Sequence, residues 1–177
     1  MNQLKRKQLE WVTRQTASLS LLAEESPNSL STKTPLNGHP KTLIVIPSFN
    51  EESSIAEVLN GIKKHAPQIP ILVIDDGSTD KCIEMIEKYP VTLIKLPANG
   101  GPSIARNAGV AQTRNDIILF LDSDVVVEKD ILQRIVKNFE EKKVDCVVGL
   151  FSKENPFTDF FSQYKSLYCN YKYRSIK

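Results

Sequence analysis

Ile117-Ile118-Leu119-Phe120-Leu121-Asp122-Ser123-Asp124 is the stretch on which the fold turns. Its apolar run is too short for a helix and has no polar alternation, so it reads as a strand covered on both faces, the habit of parallel sheets. Two carboxylates one residue apart at the end of a buried strand are costly unless something beyond the strand uses them. In open α/β sheets the carboxyl edge is where ligands bind. Hard divalent cations such as Mg²⁺ or Mn²⁺ take carboxylate oxygens and share their shell with substrate phosphates. The competing explanation is a pair of solvated loop acids ahead of the next helix, and only context separates the two.

Outward from that triplet, the chain beyond Lys41 alternates short apolar runs with amphipathic segments. Strands are expected at Thr42–Pro47, Ile71–Asp75, Thr92–Leu96, Asp116–Leu121 and Val144–Leu150. Ile55, Val58, Leu59 and Ile62 recur at helical spacing, and Ile131, Leu132, Ile135, Val136 and Phe139 form an adjoining stripe. Strands separated by helices mean βαβ units, right-handed crossovers and a mostly parallel sheet. The expected fold class is α/β, with its domain over residues 41–155.

Residues 1–40 read differently. Lys5, Arg6 and Lys7 precede a short helix through Trp11, and Ser26-Pro27-Asn28-Ser29, Pro35, Gly38 and Pro40 break any longer pattern, so a mobile tail is expected. Residues 156–177 begin a helix with an aromatic stripe of Phe157, Phe160, Phe161, Tyr164, Leu167, Tyr168 and Tyr171, beside Lys165, Lys172 and Arg174. Packing on a neighbouring element explains such a stripe, and contact with a membrane surface is the rival reading. No stop signal follows it before Lys177, so the domain is expected to be interrupted there.

Composition removes several classes of function. The 177 residues are 41% hydrophobic and 25% charged, ordinary for one globular domain with a tail. A formal net charge of +2, with no basic stripe interleaved with aromatics, argues against a nucleic-acid partner. Cys82, Cys146 and Cys169 are widely separated and form no C-x-x-C, so neither a disulfide framework nor a zinc site is expected, and a reducing cytoplasmic location fits. No apolar run approaches the roughly 20 residues of a membrane span.

Each strand expected to end on the same edge delivers polar residues. The first gives Pro47-Ser48-Phe49-Asn50-Glu51-Glu52, where Asn50 reads as the N-cap of the next helix with acids in its first turn. The second gives Asp75-Asp76-Gly77-Ser78-Thr79-Asp80, in which Gly77 permits a tight turn and Asp76 can accept a hydrogen bond from a pyrimidine imide N–H. Asn99-Gly100-Gly101-Pro102 lets the backbone approach a ligand, and Arg106 in the following helix can reach a diphosphate. Neither a dinucleotide fingerprint nor a phosphate-loop G-K-[ST] is present. Taken singly, capping, turn formation and a surface arginine explain these stretches.

In this order and spacing the clusters Pro47-Ser48-Phe49-Asn50-Glu51, Asp75-Asp76-Gly77-Ser78-Thr79-Asp80, Asn99-Gly100-Gly101 through Arg106-Asn107-Ala108-Gly109, and Asp122-Ser123-Asp124 resemble the family 2 glycosyltransferases. The resemblance spans about Thr42 to Leu150. It implies a GT-A, Rossmann-like αβα sandwich, here incomplete at its C-terminal side, and an inverting transfer of sugar from a UDP- or GDP-sugar with Mg²⁺ or Mn²⁺ to an acceptor in polysaccharide or cell-envelope synthesis. By that resemblance Pro47, Phe49 and Glu51 line the nucleoside pocket, Asp76 with Asp75 recognises the base, and Gly100 and Arg106 lie near the nucleotide. Asp122 addresses the ribose or a metal-bound water, and Asp124 with Asp122 holds the metal. The acceptor, a saccharide or a lipid-linked carrier, is not specified, and location at the inner face of the membrane is implied only by the aromatic helix.

The resemblance also implies a general base downstream of the acidic triplet, within reach of the acceptor hydroxyl. Asp145, Glu154 and Asp159 are the candidates clear of the next helix, none stands in an acidic pair, and no catalytic base is assigned. The main alternative is a fragment that binds a nucleotide sugar without turning it over. A receiver-type signalling domain would put its acidic pair after the first strand, whereas Asp75-Asp76 follows the second; Lys153 is the only feature in its favour. A nucleotidyltransferase would need a Gly-rich basic loop where Pro47-Ser48-Phe49-Asn50 stands.

Overall fold

The computed structural model describes residues 42–125, 127, 129–142, 144–149 and 159–174. The tail expected over 1–40, the helix through Trp11 and the positions of Lys153, Glu154 and Phe157 lie outside them. The chain divides into two compact units, Met1–Leu132 and Gln133–Lys177.

The first unit is built as β1 (Thr42–Ser48), α1 (Ile55–His65), β2 (Ile71–Asp75), α2 (Cys82–Ile86), β3 (Thr92–Lys95), α3 (Pro102–Ala111) and β4 (Ile117–Phe120). All pairings are parallel and the order is β3-β2-β1-β4. The chain thus steps outward from β1 through β2 to β3, then returns past β1 to lay down β4. That reversal places the topological switch between β1 and β4, where open α/β sheets bind their ligands.

Strand alternation assigns the two faces. Ile44, Ile46 and Val73 point into one core with Ile55, Val58, Leu59 and Ile62 of α1 and Cys82 and Ile86 of α2. Leu43, Val45, Leu72 and Ile74 point into the other with Ala105 and Ala108 of α3. The helical spacing expected for α1 is realised, since its buried residues are those same four. Each fully buried aliphatic side chain contributes about 1.5–3 kcal/mol, so burying β1 and β2 on both faces is the main source of this unit's stability. On the α3 face the approach is close: a Cβ added at Gly109 would lie 2.5 Å from Val45 Cγ1.

α4 (Ile131–Lys142) forms where its stripe predicts, with Leu132 buried in the first core. The strand expected at Val144–Leu150 is not formed over residues 144–149, and Leu150 lies outside the described residues. Residues 144–149 belong to the second unit, in which the described residues contain no ladder. β-branched composition cannot make a strand without a partner for its N–H and C=O groups.

The second unit also holds α5 (Phe160–Arg174), which Asp159 caps by accepting a hydrogen bond from Ser162 N–H at 2.9 Å. Phe160, Tyr164 and Tyr168, spaced one turn apart, stack in sequence with ring centroids 6.1 and 5.9 Å apart. Among the described residues no helix is long and apolar enough to cross a membrane.

Candidate functional site

The carboxyl ends of β1, β2 and β4 and the start of α3 carry the predicted site residues. Pro47 is buried and pairs in register with Ile74. The β1–β4 ladder closes with Leu121 N–H donating to the Val45 carbonyl at 3.1 Å. The next bond on that side would need the N–H that proline lacks, so the two strands part there. Phe49 follows, 41% exposed at the edge.

Asn50 does not cap α1. Its φ of 55° is left-handed, and the N-cap is Ser54, whose side chain makes no capping hydrogen bond. Asparagine tolerates that conformation because its short amide can bond locally. Here the amide instead reaches the β2 loop: Asn50 Oδ1 accepts Thr79 N–H at 2.8 Å, and Asn50 N–H donates to Ser78 Oγ at 2.9 Å. A second reciprocal pair lies beside it, with Glu52 N–H donating to Asp80 Oδ2 at 2.9 Å and Lys81 N–H to Glu52 Oε2 at 3.0 Å. Sequence reading missed this clasp, although an Asn and an acid facing an S-T-D turn were its visible parts. Glu51 turns inward to the start of α1, accepting the Ser54 hydroxyl proton.

Asp75 and Asp76 are both buried, at 1% and 2% exposure. Asp75 accepts Ser78 N–H at 3.2 Å and the Cys82 thiol at 3.7 Å. Burial pushes the Cys82 thiol above its ordinary range, so it stays a donor. Asp76 bridges to the glycine pair: Oδ1 accepts Gly100 N–H at 2.9 Å and Oδ2 accepts Gly101 N–H at 2.7 Å. Gly77, at φ 76°, makes this approach feasible, because a Cβ there would meet the backbone of Ala98 and Asn99 at 2.8 Å. Asp76 therefore anchors the loop that begins α3.

Arg106, midway along α3, extends to β4 and donates through Nη2 to Asp122 Oδ1 at 2.7 Å. Asp122 and Asp124 are exposed while Ser123 between them is buried. Ser48, in register with Asp75, has a buried hydroxyl that finds no hydrogen-bond partner among the described residues. It was not among the residues singled out from the sequence. A shallow cleft of about 50 Å³ among Leu59, Lys63, Ala66, Ile71, Tyr89 and Pro90 lies at the opposite, amino-terminal edge.

The described residues contain no group of three or more His, Cys, Asp or Glu able to hold a metal ion. Among the described residues the exposed carboxylates of Asp122 and Asp124 are of the kind that could hold Mg²⁺ or Mn²⁺, which bind through one or two carboxylates and complete their shell with water and phosphate.

Three parallel crossovers, two stepping outward from β1 and one returning past it to β4, form an α/β unit of GT-A type with an acidic and glycine-lined carboxyl edge. Residues 43–177 match the family described as Glycosyl transferase family 2, and the chain belongs to it. Among its relatives, the poly(ribitol-phosphate) β-N-acetylglucosaminyltransferase TarS of Staphylococcus aureus is 30% identical over 116 residues, 61% of this chain and 20% of TarS. Glycosyltransferase GlyG of Streptococcus pneumoniae is 30% identical over 112 residues, 60% of this chain and 37% of that protein. The crystal structure of TarS 1-349 superposes with a TM-score of 0.59 at 27% identity, covering 67% of this chain and 38% of that one. The glucosyl-3-phosphoglycerate synthase of Mycobacterium tuberculosis, solved with Mn²⁺ and UDP, shares the fold at 24% identity and a TM-score of 0.50, over 56% of this chain and 39% of that one. The chain thus spans well under half the length of these relatives.

Proposed function

We propose that this chain binds the nucleotide-diphosphate part of a UDP- or GDP-sugar together with Mg²⁺ or Mn²⁺, and serves transfer of the sugar to an acceptor of the cell envelope. The observation that carries the reading is the continuous hydrogen-bonded line Asp76–Gly100/Gly101–α3–Arg106–Asp122, which fixes a guanidinium and two acids along one sheet edge. Phe49 offers an aromatic face for a base, and Arg106 a guanidinium for the diphosphate. Asp124, exposed and without an ion pair among the described residues, is the stronger metal ligand, with Asp122 beside it. When bound, the metal would supply Lewis-acid neutralisation of the charge on the departing diphosphate. The name of TarS, a transferase acting on a polymer of ribitol phosphate, supports an envelope polymer as acceptor. The free thiols of Cys82 and Cys146 support a reducing, cytoplasmic setting.

The acceptor's general base remains unassigned: Asp159 is engaged in capping α5, and Asp145 is exposed in the second unit. Calorimetric titration with UDP and GDP tests the reading. Binding is expected only with Mn²⁺ or Mg²⁺ and weakened at least about tenfold by Asp124→Ala, the order of one charged ligand contact. Metal-independent affinity, or an unchanged affinity in the variant, would overturn it.

A further inference from the structure

We propose that Arg106 makes metal binding at Asp122 conditional on a diphosphate, because the carboxylate and the diphosphate compete for one guanidinium. This rests on the nucleotide-sugar reading above. The pair is short, 2.7 Å between Nη2 and Oδ1, yet its side chains are 34% and 56% exposed. Ion pairs at that exposure are weak. A diphosphate carries more charge than a carboxylate and matches the guanidinium fork at more than one oxygen, so it displaces Asp122 readily.

The helix under Arg106 does not need to move. Asp76 holds its first residues, and Ala105, Ala108 and Gly109 are packed against the sheet, with Gly109 leaving no room beneath it at Val45. The switch is confined to one long side chain. While Arg106 holds Asp122, its charge neutralises one of the two carboxylates a cation needs. Once the guanidinium turns to the diphosphate, Asp122 and Asp124 both face the metal. Metal and nucleotide then bind cooperatively, and by linkage each tightens the other equally.

Mn²⁺ titration followed by electron paramagnetic resonance, with and without UDP, reads this directly. Arg106→Ala should tighten binding of Mn²⁺ alone about threefold, the order of one partly exposed ion pair, and should reduce the UDP-induced gain in Mn²⁺ affinity by at least that factor. In an Asp122→Asn background the same change should have no effect on Mn²⁺ alone. A mere loss of positive charge would tighten Mn²⁺ in both backgrounds and would overturn the proposal, as would no tightening in either. Arg106→Gln serves in place of Arg106→Ala should the alanine variant lose its far-ultraviolet spectrum. If the wild type shows no Mn²⁺-dependent UDP binding, the proposed function fails, while the Mn²⁺-alone measurements still decide the competition for Arg106.

Discussion

Asp76→Ala and Asp76→Asn should both destabilise the first unit by about 2 kcal/mol, because the carboxylate acts as the clamp on the loop before α3. Two charge-assisted hydrogen bonds, at 2.9 and 2.7 Å, join it to the N–H groups of Gly100 and Gly101. Bonds to a charged group contribute about 1.5–3 kcal/mol each. Gly100 is exposed and Gly101 half-buried, so both N–H groups regain water in the alanine variant and roughly half of that sum is recovered. An acid at the N-terminus of α3 adds about 0.3–1 kcal/mol, and relief from burying a carboxylate at 2% exposure offsets it. Asparagine keeps one acceptor but turns an NH₂ toward the other N–H, so it should do no better than alanine. The assay is urea unfolding, read as a lowered midpoint at unchanged slope, with faster amide exchange at Gly100 and Gly101 as the local signature. A residue that only recognised a base would leave stability intact, so a loss below about 0.5 kcal/mol in Asp76→Asn, within the scatter of an ordinary surface change, would refute the clamp.

Two further changes probe the scaffold. Gly109→Ala should lower stability by about 1 kcal/mol or more, since overpacking against fully buried Val45 outweighs the gain in helix propensity; an unchanged melting temperature would mean α3 can lift off the sheet freely. Burial opposes ionisation of Asp80, but hydrogen bonds from Cys82 and from Glu52 N–H outweigh it and hold the carboxyl below its ordinary 3.8. Its contribution is therefore complete above 3.8 and disappears as pH falls through the lower folded value, so Asp80→Asn should be less stable at neutral pH and lose less on acidification. Parallel acid-unfolding curves for the two proteins would contradict that sign.

The sheet was legible because its strands are buried on both faces. Ile44, Val45 and Ile46, like Leu72, Val73 and Ile74, could not sit anywhere but in a covered parallel sheet, and both cores confirm it. Val144–Leu150 holds three valines but also Asp145 and Gly149, and its described part is exposed or half-buried and forms no ladder, because β-branched residues favour a strand only where a neighbouring strand is there to pair with. The site was legible as a set of strand ends and not as a network. Nothing local distinguishes an Asn that caps a helix from one in the left-handed region that staples a neighbouring loop, since both roles use the same side-chain oxygen. Nor could spacing reveal that Arg106 reaches Asp122, a contact across 16 positions that depends on β4 lying beside β1.

That topology explains why these loops are tied together in pairs and not as one ring. β1 and β2 are neighbours, so the loops that leave them run side by side and can exchange bonds from backbone N–H groups to side-chain oxygens, as Asn50 with Ser78 and Thr79 and Glu52 with Asp80 and Lys81 do. β4 lies on the far side of β1, and Pro47 ends their ladder, so among the described residues the Asp122 loop has no backbone partner across the gap. Among the described residues it is spanned by a long side chain from α3, that of Arg106. The β1–β2 half of the edge is thus held by several short bonds, while the half bearing the acidic triplet is tied to α3, among the described residues, by the Arg106–Asp122 ion pair. The nucleotide and metal binding proposed above would be served by that asymmetry, because an exposed, breakable contact is where ligand-dependent change would concentrate.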